Sequence, residues 1–207
     1  MDVPISDARK TAMIAENSDW DALVAQGDIE RFYRRVIEPA LAEFVVGEDV
    51  AGLETDDMDE FLEACRRNTN NALAYEMRRT FALILSALFE RQLRFWLLCK
   101  RPADHAEIES FGSLFRLIDY AKREYQWIGA KPFITDILIL GSVANAVRHG
   151  NGHSATALSK RQPKFWNQSP SPSDLVSSMR IGDADLKRFA YALMAFWHAM
   201  GASSIPG

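Results

Sequence analysis

Six consecutive residues, Arg148-His149-Gly150-Asn151-Gly152-His153, gather a guanidinium, two imidazoles and an amide around two glycines. A guanidinium presents a planar fork of donors that fits phosphate or carboxylate, and imidazole is the side chain whose proton moves near neutral pH. Asn145 lies three residues before Arg148 and would share its helix face, adding a neutral hydrogen bond beside the cation. Other chemistries fit less well. His149 and His153 are four apart, but a metal needs both on one helix face. Gly150 and Gly152 break that helix, and no acidic residue or cysteine lies close by in sequence. The Gly-Asn-Gly amides could cradle an anion, yet the loop follows a helix and has no Walker or dinucleotide fingerprint. Gly-x-Ser-x-Gly is absent and neither cysteine neighbours a histidine, which disfavours a nucleophilic hydrolase. The plain structural alternative is that Arg148 ties down a helix end and His153 caps the next turn.

The element that must position this segment is a helix opening behind Lys131-Pro132 at about Phe133, since proline suits a first helical turn. Ile134, Ile137, Leu138, Gly141 and Ala144 form its packed stripe, and Arg148 emerges where that stripe meets the helix end. The helix is expected to stop at Gly150, with a short further turn or two over residues 154–160. Residues 163–174 read as an ordered loop anchored by Phe165 and Trp166.

The rest of the chain is helical by the same spacing, with no sustained alternation that would argue for strands. Asp28 to Val46 carries a stripe of Ile29, Phe32, Val36, Ile37, Leu41, Phe44 and Val45, with a kink expected at Pro39. A second stretch starts near a Thr55 cap, puts Met58, Phe61, Leu62 and Cys65 on one face, and is expected to kink or break at Asn68–Asn71. Ala72 to Lys100 gives the strongest pattern, with Leu73, Phe81, Ile84, Leu85, Phe89, Phe95 and Trp96 on the apolar side and Arg78, Arg79, Glu90, Arg91 and Arg94 opposite. Ser110–Tyr125 and Asp183–Met200 complete an all-α bundle of about five to seven helices.

A length of 207 residues with 48% hydrophobic and 25% charged residues suits one compact globular domain. No apolar run is long enough to span a membrane, and Met1-Asp2-Val3-Pro4 lacks the features of a secretory signal, so a cytoplasmic chain is expected. Cys65 and Cys99 then read as free thiols. The net charge of −4 disfavours a general nucleic-acid binder. It conceals an acidic N-terminal region, with 5 Lys/Arg against 17 Asp/Glu over 1–65, followed by a basic stretch with 8 against 2 over 66–101. The basic stretch either meets phosphates or pairs internally.

Arg148, four intervening residues and His153, placed at a helix end in an all-α chain, resemble the signature of HEPN domains. The long helix bearing Phe89-Glu90-Arg91 resembles the long helix with an acidic residue found in that family's bundle. The resemblance covers about 70–200, leaving 1–65 as an acidic helical region packed on a HEPN-like bundle of 66–207. It implies a metal-independent endoribonuclease of bacterial defence or stress response, without cofactor. His153 would be the general acid/base, Arg148 the phosphate ligand, and Asn145, His149 and Asn151 supporting residues. It also implies RNA as substrate, a homodimer, and an antitoxin or sensor protein as a further partner. The branch neutralised by a nucleotidyltransferase antitoxin carries a tyrosine two positions after the histidine. Ala155 stands there in this chain, which sets it apart from that branch. The alternative is a non-catalytic HEPN-like dimer that binds RNA, nucleotide or a protein.

Overall fold

The structure is a computed structural model and describes residues 22–48, 57–167, 169 and 171–202. All regular structure among them is helical. In chain order these are α1 (described over 22–32), a π turn Tyr33–Ile37, α2 (Glu38–Glu43), α3 (Met58–Lys100), α4 (His105–Ser110) and α5 (Leu114–Glu124). There follow α6 (Phe133–His149), α7 (His153–Arg161) and α8 (Asp183–Ala202). Among the described residues no helix is long and apolar enough to cross a membrane. The described chain falls into two compact units of interleaved segments, one holding 22–31, 85–141 and 188–202, the other 32–48, 57–84 and 142–187.

The first unit is organised by aromatic packing. Phe89 meets Phe196 and Trp197 edge-on at centroid distances of 5.0 and 5.8 Å, and Phe133 and Trp96 extend the cluster to 6.1 and 6.2 Å. Edge-to-face geometry sets positive ring edges against negative faces, adding to the burial of large apolar area. Gly141 lies where a side chain would crowd Phe115 and Leu114, at 3.3 and 3.4 Å from an added Cβ. Arg94, half-buried, donates to the carbonyls of Ile108 and Phe111 and so clamps the end of α4, a helix that the apolar spacing did not reveal.

The second unit packs Ile37, Leu41, Ala74, Phe81, Val143, Ala144, Ala155, Leu158, Phe165, Met179 and Ile181. Pro39 offers no N–H to the preceding turn, and a π turn lies just before it. Thr55 lies outside the described residues. The carboxylate of Asp57 caps α3, accepting the amides of Asp59 and Glu60. α3 runs unbroken through 68–71, where Thr69 donates its hydroxyl to the Cys65 carbonyl and the Asn71 amide clips both backbone groups of Gly47.

The inward face of α3 holds the expected Phe81, Leu85, Phe89 and Trp96 and departs from the expected one elsewhere. Leu73, Ile84 and Phe95 are exposed, while Ala74, Arg78, Arg79, Ala82 and Leu93 are buried. The expected solvent residues Arg78 and Arg79 go inside because their donors are met. Arg78 bonds Asp183 and the Phe44 and Ala74 carbonyls, and Arg79 bonds Glu76 and the Ser177 and Met179 carbonyls. Hydrogen bonds of this kind offset much of the cost of taking a guanidinium out of water. Much of the basic stretch is therefore paired within the chain, with Arg66 and Arg67 on Glu63 and Arg101 on Glu124 as further cases. Cys65 and Cys99 are half-buried and are not joined in a disulfide.

Candidate functional site

Lys131-Pro132 and the stripe Ile134, Ile137, Leu140, Val143, Ala144 and Ala146 build α6 as a buried rod whose last turn reaches the surface. That last turn carries Arg148 and His149, both exposed, with Asn145 half-buried one turn earlier. Gly150 then takes φ +71°, a left-handed conformation that ends the helix and that a Cβ would strain. Nothing lies within 4 Å of where that Cβ would be, so glycine is required there by the backbone and not by crowding.

The turn closes locally with the Gly152 amide on the Gly150 carbonyl at 2.8 Å. It is held from outside by Asn151, whose Nδ2 donates to the Ser173 carbonyl and whose Oδ1 accepts the Val176 amide at 2.8 Å. Asn151 is thus committed to the backbone of the later loop and acts as a positioning residue. His153 opens α7 directly after this turn, exposed, with Gly152 at the cap position offering no side chain to the first-turn amides. The positive end of α7 therefore begins at His153 without an internal acceptor side chain.

Among the described residues, the side chains of Arg148, His149 and His153 make no hydrogen bond or ion pair, in contrast to those of Arg78 and Arg79. Between Asp136 and Asp174 the sequence holds no acidic residue but has Arg148, Lys160, Arg161 and Lys164 besides the two histidines. The segment thus offers a cation, two proton carriers and uncapped amides with no carboxylate close in sequence to neutralise them. An anion with several oxygens, such as phosphate, matches that set. Among the described residues no group of three or more His, Cys, Asp or Glu comes together in a metal-binding arrangement.

Thr156 and Lys160 are two further polar residues of α7, outside the Arg148 to His153 motif. They lie three and seven residues after His153, so they share its face of α7, and that spacing is the signal that could have found them. Glu90, on the long helix α3, pairs with Arg94 one turn on at 3.5 Å. No family model, no curated protein and no solved structure matches this chain.

Proposed function

We propose that this chain is a metal-independent endoribonuclease of HEPN type, acting in bacterial defence or stress response as a homodimer. The observation that carries the reading is the uncommitted set Arg148, His149 and His153, exposed around a turn that Gly150 and Asn151 hold in one shape. RNA supplies its own nucleophile. The 2′-hydroxyl attacks the adjacent phosphorus, the bond to the 5′-oxygen breaks, and the products are a 2′,3′-cyclic phosphate and a 5′-hydroxyl. Such an enzyme needs a cation for the developing phosphorane charge and a group that moves protons. Arg148 holds the scissile phosphate, with Asn145 hydrogen-bonding beside it. His153 as neutral imidazole takes the 2′-hydroxyl proton, or as imidazolium protonates the departing 5′-oxygen. Two copies of the motif in a dimer supply both states at once. His149 flanks Arg148 as a supporting residue of the site.

The test is incubation of purified protein with RNA in EDTA, comparing wild type with Arg148→Ala and His153→Ala. Wild type is expected to cleave, and each variant to lose at least about a hundredfold in rate, the usual range for a proton-transfer or charge-stabilising group. Equal cleavage by all three proteins sinks the assignment. RNA binding that depends on Arg148 without any cleavage replaces it with a non-catalytic binding module.

A further inference from the structure

Beside α7 lies an open cavity of about 590 Å³, lined by Thr156, Ser159, Lys160, Trp166, Asn167 and Leu175 among others. That volume falls within the roughly 300–1,000 Å³ typical of small-molecule sites. The lining is divided in character. Trp166 and Leu175 contribute apolar surface, and the Trp166 indole N–H is already spent on the Leu175 carbonyl at 2.8 Å. Thr156 and Ser159 donate their hydroxyl protons to the Gly152 and Thr156 carbonyls, so their oxygens remain as acceptors. Among the described residues, the side chains of Lys160 and Asn167 make no hydrogen bond or ion pair, and no acidic residue lines the cavity.

Its position is as informative as its lining. Thr156 and Lys160 stand on the face of α7 that begins with His153, and seven residues of helix carry the chain about 10 Å. An apolar wall for a ring face, a free amide for a ring edge and a cation for a phosphate are what a nucleotide of single-stranded nucleic acid asks of a protein.

We propose that this groove is a nucleobase subsite, so that single-stranded RNA runs along α7 with one base in the cavity and the next phosphate at Lys160. The inference rests on the reading of Arg148 and His153 as the phosphate site and extends it to the neighbouring nucleotide. Only a strand with an accessible base fills the groove; a paired base keeps its edge turned to its partner.

The experiment uses the full chain and a fluorescein-labelled 2′-O-methyl RNA of about eight nucleotides, a typical length for a single-strand site. That RNA cannot be cleaved by 2′-hydroxyl attack. Its partner probe is the same strand with abasic positions throughout. Wild type is expected to bind the base-containing strand about tenfold more tightly than the abasic one. Asn167→Ala, and Ser159→Phe, which fills the cavity without removing a buried side chain, are each expected to lose about tenfold on the base-containing strand and nothing on the abasic strand. Normal binding by both variants, or no binding by wild type, overturns the subsite. If the variants bind normally while cleavage of ordinary RNA still depends on Arg148, the subsite alone falls. If binding depends on Asn167 while Arg148→Ala and His153→Ala leave cleavage unchanged, the subsite stands and the catalytic assignment falls.

Discussion

A guanidinium out of water needs most of its donors met, and Arg78 meets its own with the Phe44 and Ala74 carbonyls and Asp183. Asp183 is 58% exposed, so solvent screens the ion pair and the carbonyl bonds supply most of the stabilisation. Replacing Arg78 by Met leaves the Phe44 carbonyl without its donor and is expected to cost about 2 kcal/mol in a urea titration. Arg148→Ala touches no internal partner and is expected to change stability by less than about 0.5 kcal/mol. A large loss of stability for Arg148→Ala would show that this arginine is tied into the fold, against its place in the candidate site. The contrast between these two arginines was invisible in the sequence, where Arg78 and Arg79 read as solvent-facing because their positions suit the polar side of α3.

The turn between α6 and α7 is the element on which the site depends. Gly150→Ala places a Cβ on a left-handed backbone and is expected to destabilise by about 1 kcal/mol. Asn151→Ala removes two bonds to the 173–176 backbone. It is expected to speed exchange of the Val176 amide about tenfold, as loss of a bond worth about 1.4 kcal/mol would do. Unchanged Val176 exchange in a hydrogen-exchange measurement would mean that the loop is held without Asn151. The Gly150 stop and the start of α6 at Phe133 were legible, because proline and glycine act locally. The second partner of the turn was not, since Asn151 and Val176 are 25 residues apart and nothing in local propensity links them.

At the scale of whole units, pH acts through buried phenols. Tyr120 is buried in the first unit and donates to Asp104, and burial together with that carboxylate pushes its pKa well above the ordinary tyrosine value. Burial likewise raises Tyr125, against the opposing pull of Arg101. A phenol whose folded pKa is raised contributes stability that is fully present below the unfolded value near 10 and is lost as pH climbs above it. Urea titrations are therefore expected to be flat in this contribution near pH 8 and to weaken above about pH 10. Tyr120→Phe is expected to cost about 1 kcal/mol at neutral pH through the lost bond to Asp104, with the gap to wild type closing in alkali. A gap that stays constant to pH 11 would remove Tyr120 from the account.

By itself the sequence determined the helical class, the Phe133 and Asp183 helices, the Gly150 stop and the anchoring of Phe165 and Trp166. Each of these follows from periodicity, from glycine and proline, or from aromatic burial, which operate within a few residues. Tertiary structure alone decided that Arg78 and Arg79 are buried and that α3 continues through Asn68–Asn71. It also decided that Asn151 serves the turn and that a groove opens along the His153 face of α7. In those cases the stabilising or shaping groups are the carbonyls of Phe44, Ser177 and Met179, the backbone of Gly47 and Val176, and the ring of Trp166. Apart from Trp166 they are backbone groups, which every residue carries, so no residue type along the chain signals where they converge.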